Sequence, residues 1–162
     1  MKNFSVNENQ LASLPRRRRE HAEKLLQLIE RVLQEDVPSE IRRPEDVYQL
    51  VAAEMSSLPN EHFVAIMLNV KNRVISKETI GIGTLNGAIV HPRELFRRAI
   101  LKNAASIICV HNHPSGDPTP SQEDIKVTKR LFDAGEIVDI NVLDHIIVGV
   151  EGFVSLKQLG MM

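Results

Sequence analysis

His111 and His113 are separated by one residue and follow the apolar run Ile107-Ile108-Cys109-Val110. That run is short, β-branched and bounded by turn residues, which predicts a buried strand. In an extended chain, residues i and i+2 point to the same side. The two imidazoles should leave the strand's end together, with Asn112 turned away. Pro114 should end the pairing, and Pro118 and Pro120 should stiffen the bend that follows. Ser121 suits the N-cap of a helix, and Asp124 falls in its first turn. If the bend folds back, Asp124 meets the imidazoles. Two histidines and a carboxylate are the ligand set of a catalytic Zn²⁺ site, with a fourth position left open to water.

Each fragment also has an ordinary structural reading. A His-x-His pair is common at surfaces and turns. Ser-x-x-Asp before an apolar run is a capping-box signal, and Asp117 is most simply a turn residue. The complete string is more specific: H-x-H-P, seven residues from His113 to Ser121, then S-x-x-D. It resembles the JAMM (MPN+) metalloprotease signature, and the spelling HNHPSGDPTPS resembles its bacterial RadC-like JAB branch. The resemblance implies that His111, His113 and Asp124 bind Zn²⁺, one ion per chain. It also implies that Ser121 hydrogen-bonds near the reacting oxygen and that an upstream glutamate is the general base. Glu61 matches that glutamate by position, just before the apolar run Phe63 to Leu68. Glu78, within the next predicted strand, is the second candidate. The implied activity is zinc-dependent hydrolysis of a peptide or isopeptide bond in a protein or peptide substrate. Two other functions stay open: a non-catalytic MPN scaffold that binds a partner, and a DNA-associated role suggested by the family's name.

Composition narrows the alternatives. The chain has 162 residues, enough for one domain with an extension, and a formal charge of −1. There is thus no global basic field to attract nucleic acid or anionic lipid. Five Phe, one Tyr and no Trp offer little for base stacking. A single cysteine, Cys109, excludes an internal disulfide, Cys-rich zinc sites and the paired-Cys zinc of deaminases. No stretch resembles a signal peptide or reaches the length of a membrane span, so a cytoplasmic protein is expected.

The elements that must position the site follow from periodicity. Residues 1–40 read as an N-terminal helical extension. It comprises a polar arm, the four-arginine run Arg16 to Arg19, a helix over 21–34 with an apolar stripe, and a linker at 35–39. The arginine run is the one feature suited to phosphate, and the stripe would suit a homodimer. Many RadC-like chains carry a helix-hairpin-helix-like N-terminal region, but no Gly-containing hairpin is found before residue 41. Residues 41–162 form the main domain, with the resemblance covering 44–162. Its expected elements are a helix over 44–57, strands over 62–70 and 73–82 with a turn at Lys71-Asn72, and a glycine loop at 83–87. A helix from His91 to about 103 with Leu95, Phe96, Ala99 and Ile100 inward comes next. After the histidine strand, a helix over 121–134 ends at Gly135, and strands follow over 142–150 and 153–155. This order has no regular βαβ repeat, so the fold class is α+β (mixed α/β). The MPN/JAB resemblance implies a curved central sheet flanked by helices. Asp144-His145, a polar pair inside an apolar strand, is either a satisfied structural pair or a support for the site.

Overall fold

The computed structural model describes residues 40–83, 90–150 and 152–162, together with Pro15, Arg18, Arg19 and Ala22. The chain divides into two compact units, Met1–Val37 and Pro38–Met162. The helix expected over 21–34, the dimer it would support, the linker at 35–39, Arg16, Arg17 and the glycine loop beyond Gly83 lie outside the described residues. Arg18 and Arg19 are exposed.

In the second unit the elements are α1 (Pro44–Met55), β1 (His62–Leu68), β2 (Val74–Ile82), α2 (Pro92–Leu101), β3 (Ser106–Asn112), α3 (Gln122–Val138), β4 (Asn141–Val148) and β5 (Phe153–Ser155). Their arrangement is mixed α+β, consistent with a JAB/MPN fold. The five strands make one sheet in the order β2-β1-β3-β4-β5. β3 and β4 are parallel and the other neighbours antiparallel. β1 and β3 lie inside the sheet, and from Phe63 to Leu68 and from Ser106 to Asn112 every residue is buried. Such strands read as continuous apolar runs rather than alternating ones.

The sheet has two covered faces. Phe63, Ala65, Met67, Ile107 and Cys109 point to α2 and α3, meeting Leu95, Phe96, Ala99 and Leu131. Val64, Ile66, Leu68, Ile108, Val110, Ile146 and Val148 point to α1, meeting Val47, Val51 and Met55. A twelve-residue helix such as α1 is marginal alone in water. Burying Val47, Val51 and Met55 at roughly 1.5–3 kcal/mol each is what holds it. Its start is secured by Pro44 in the first turn and by the Asp46 carboxylate, which accepts the Arg42 and Arg43 N–H groups at 2.9 and 3.2 Å. Among the described residues no helix is long and apolar enough to cross a membrane.

Several expectations need correction. β1 ends at Leu68 rather than 70, and α1 at Met55 rather than 57. Ile100 is 58% exposed, because α2 turns only Leu95, Phe96 and Ala99 inward. α3 does not end at Gly135. It runs to Val138 and stops at Asp139, which takes the left-handed conformation with φ 56° and donates its N–H to the Gly135 carbonyl. β4 ends at Val148 rather than 150, as Gly149 leaves the sheet to donate to the Gly152 carbonyl. One irregularity lies at the start of β4: Ile107 pairs with Val142 but Ile108 pairs with Asp144, so Leu143 is an extra residue.

Gly135 is a close-approach glycine in the body of α3. A Cβ there would lie 2.7 Å from the Ile140 carbonyl oxygen. In an exposed helix, Gly→Ala gains up to ~1 kcal/mol. Here Gly135→Ala should destabilise the domain by roughly 1–3 kcal/mol through overpacking against backbone. Urea denaturation would show the midpoint falling, and a midpoint that rises would contradict the packing.

Candidate metal centre

β3 and α3 bring the site together from its two ends. The alternation of β3 puts His111 on the face shared with α3. His113, just past the strand, reaches the same place. The bend between them and α3 is tied down locally. Gly116 N–H donates to the His113 carbonyl at 2.9 Å, and Val150 N–H donates to the Gly116 carbonyl at 3.0 Å. Gly149 lets this bend lie flat on the end of β4, since a Cβ there would sit 2.3 Å from the Gly116 oxygen. Asp117 is a turn residue, accepting the Thr119 N–H and Oγ1–H at 2.9 and 2.7 Å. Ser121 then caps α3, its Oγ accepting the Asp124 N–H at 3.1 Å. In return Asp124 Oδ2 accepts the Ser121 N–H at 2.7 Å and the Ser121 Oγ–H at 2.6 Å. The capping box therefore has a second effect: it aims the Asp124 carboxylate out of the helix start and onto the imidazoles.

The convergence is close. His111 Nε2 lies 3.0 Å from His113 Nε2 and 3.2 Å from Asp124 Oδ1, and His113 Nε2 lies 3.4 Å from Asp124 Oδ2. Among the described residues, His111, His113 and Asp124 form the group able to hold a metal ion. Tetrahedral Zn²⁺ with ligands at 2.0–2.1 Å separates neighbouring ligand atoms by about 3.3 Å, so these spacings suit such an ion.

The hydrogen-bond chain behind the ligands supplies a second test of fit. Thr128 Oγ1–H donates to the Asp124 carbonyl at 2.6 Å, an acceptor that carries no hydrogen. The hydroxyl oxygen, 2.5 Å from His145 Nδ1, must then accept from it. His145 Nε2 is left as an acceptor, and His111 Nδ1–H donates to it at 2.8 Å. His111 Nε2 is thereby the bare nitrogen. On the other candidate ligand, His113 Nδ1–H donates to the Asp117 carbonyl at 2.7 Å, and its Nε2 is likewise bare. Two lone pairs and a carboxylate facing one point, with no donor among them, are the donor set of a cation. Such a chain behind a ligating imidazole fixes its tautomer and orientation.

The electrostatics agree. Complete burial holds His145 well below the ordinary histidine range, which keeps it neutral as an acceptor. Burial works against the Asp124 charge, but when the metal-free site carries a proton the bonds from the imidazoles hold the carboxyl far below the usual range. Asp124 in turn raises His113, with the Asp117 carbonyl and the charge of Glu61 adding to the effect. Phe63 lies nearly parallel to His111, ring centroids 6.1 Å apart, and closes the inner wall.

The site opens into a cavity of about 330 Å³ lined by Glu61, Phe63, Ser121, Glu123 and Val127 beside the three candidate ligands and His145. Glu61 therefore reaches the site. Glu78 lies elsewhere: it meets Arg98 of α2 and Lys102 just after that helix at 3.4 and 3.2 Å and accepts from Ser76 Oγ at 3.2 Å. Ser121 lines the cavity, with its hydroxyl hydrogen directed at Asp124. The pair Asp144-His145 is divided between the two faces. His145 supports the site, whereas Asp144 faces the α1 side and accepts the Ser155 hydroxyl at 2.7 Å and the His145 and Lys157 N–H groups at 2.7 and 3.2 Å. Thr128 was not legible from the sequence, as a helical threonine carries no motif.

A mixed sheet whose inner strand ends in His-x-His, closed by a helix whose Ser-x-x-Asp start turns a carboxylate onto both imidazoles, defines a domain of the JAMM/MPN superfamily. Within that superfamily the chain belongs to the RadC-like JAB domain family, whose model matches residues 41–161. It is 62% identical over 121 residues to a UPF0758 protein of Desulforamulus reducens, covering 75% of this chain and 53% of that protein. It is 62% identical over 120 residues to a UPF0758 protein of Geobacillus sp. strain WCH70, covering 74% and 53%. To UPF0758 protein YsxA of Bacillus subtilis strain 168 it is 58% identical over 120 residues, covering 74% and 52%. The chain spans about half the length of the curated relatives it matches.

Two outcomes follow. Thr128→Val keeps the volume but removes the acceptor that holds His145. His145, and through it His111, can then change tautomer, and Zn²⁺ affinity should fall about 10–100-fold, measured by competition with a chromogenic chelator. An unchanged affinity would remove the tautomer argument. The second outcome concerns pH. The raised pKa of His113 means that the metal-free site keeps a proton where an ordinary histidine has lost it. Zn²⁺ must displace that proton, so affinity should weaken about tenfold per pH unit below that pKa and level off above it. Calorimetry in two buffers of different ionisation enthalpy should register the released proton.

Proposed function

We propose that this domain is a zinc-dependent, metallopeptidase-type hydrolase acting in the cytoplasm on peptide or isopeptide bonds of a protein or peptide substrate. The observation that carries this reading is the convergence of His111 Nε2, His113 Nε2 and the Asp124 carboxylate at the floor of a cavity that Glu61 also lines. The two bare imidazole nitrogens and the carboxylate would hold the ion. When bound, Zn²⁺ supplies Lewis-acid polarisation of the substrate carbonyl and an acidified water as nucleophile.

The chain's own residues account for the remaining steps. Glu61 is not among the candidate ligands, so its carboxylate is available as a base. It takes a proton from the attacking water and returns it to the leaving nitrogen, as general acid–base catalysis of amide hydrolysis requires. Ser121 aligns Asp124 in the resting site. Rotation of its hydroxyl away from Asp124 would offer the hydrogen to the developing oxyanion, the position where a donor contributes most. Phe63 and Val127 provide apolar walls that limit water at the reacting centre.

The test combines metal content with cleavage of a panel of fluorogenic peptides and isopeptides. The wild type should hold one zinc per chain. Glu61→Gln should keep the zinc and lose about 10²–10⁴ in rate. His113→Ala should lose both. Equal zinc in the wild type and His113→Ala would end this reading.

A further inference from the structure

We infer that Asn112, the residue between the two histidines, positions Glu61; the inference rests on Glu61 being the base. Asn112 is 1% exposed and points away from the metal side of β3. The β1–β3 ladder ends at the pair Phe63–His111. One residue further, the Asn112 side chain takes over the pairing. Its Oδ1 accepts the His62 N–H at 2.8 Å, and its Nδ2 donates to the Asn60 carbonyl at 3.1 Å. The backbone partners settle which end is which, since an N–H requires the oxygen and a carbonyl requires the amide nitrogen. Glu61 lies between these two anchored residues, and its own carbonyl accepts the Gly83 N–H at 2.7 Å. Its backbone is thus held on both sides and at its own oxygen, and the side chain alone retains freedom.

The residue type follows from these bonds. Aspartate has no donor for Asn60, serine has a single hydrogen on a shorter arm, and an aliphatic residue would leave both backbone groups without a partner. The three residues His111, Asn112 and His113 therefore serve both halves of the proposed reaction. The outer two face the ion, and the middle one sets where the base stands relative to it. A base displaced by about 1 Å can lose about 10²-fold in rate.

The test compares Asn112→Ala with the wild type, both loaded with Zn²⁺. Bound zinc should remain at one per chain, since no ligand is touched. Exchange of the His62 amide should accelerate at least about tenfold once its acceptor is gone. The Glu61 side-chain order parameter from ¹³C relaxation should fall. On any peptide that the wild type cleaves, kcat should drop about 10²-fold with KM little changed. In a Glu61→Gln background the same substitution should cost less than about threefold, because the group it positions is already gone. Loss of zinc in step with rate, an unchanged Glu61 order parameter, or equal losses in both backgrounds would overturn the assignment. If Asn112→Ala does not fold, Asn112→Asp keeps the volume and the His62 acceptor while losing the donor to Asn60. It should show the same effects at smaller size, and wild-type behaviour would count against the assignment. Should Glu61→Gln alone cleave as well as the wild type, the base assignment fails, while the exchange of His62 still reports on the clamp.

Discussion

Two bare imidazole nitrogens 3.0 Å apart repel each other unless positive charge sits beside them. Much of the surrounding structure exists to bring about that otherwise unfavourable meeting. The tautomer of His111 is set from behind by His145 and Thr128, and that of His113 by the Asp117 carbonyl. The bend is held to the residues just after β4 by the Gly116–Val150 bond and the close approach at Gly149. The start of α3 is shaped by Ser121, which is why one carboxylate can face both rings. A proton or a metal ion satisfies the arrangement, and the competition between them makes such a site sensitive to acidity.

The buried polar groups divide by face. A polar group taken out of water without a partner costs free energy, and among the described residues every buried side-chain polar atom has one. On the α3 face, the partners form a single chain from Asp124 through Thr128 and His145 to His111. On the α1 face, they tie segments together: Asn112 holds the entry to β1, and Asp144 holds the turn after β5, with burial raising its pKa. Cys109, buried on the site side, has its thiol raised by the same burial and serves as packing. The ion-pair group around Glu78 lies on the edge strand and steadies α2 against β2.

The convergence of His111, His113 and Asp124 was largely legible because its causes are local. An apolar run, a His-x-His at its end, prolines in the bend and a Ser-x-x-Asp helix start each have a short-range signature, and together they bring Asp124 to the histidines. The start of α1 is likewise local, set by Pro44 and Asp46 in its first turn. The supporting residues were legible only in part: Asp144-His145 stood out as a polar pair in an apolar strand, but the roles depend on which strands become neighbours. His145 reaches His111 only through the parallel pairing of β3 with β4, 34 residues apart. Asn112 reaches Asn60 and His62 only through the pairing of β3 with β1. Gly135 looked like a helix stop but is a contact surface for the backbone at Ile140. Ile100 fitted the apolar period of α2, yet that helix buries a stripe too narrow to include it.

The extra residue at Leu143 has an effect larger than its size. It resets the in-out phase of β4, so that His145 turns toward His111 and Asp144 toward α1. With an unbroken ladder, Asp144 would sit beside Cys109 and His145 on the far layer. A carboxylate would then stand behind His111, where a neutral ring now accepts its N–H. Strand length between Ile140 and Asp144 therefore acts like a reading frame. Loops elsewhere can absorb a change of register, but drawing Leu143 into the ladder here would exchange an acid for an imidazole without altering either one.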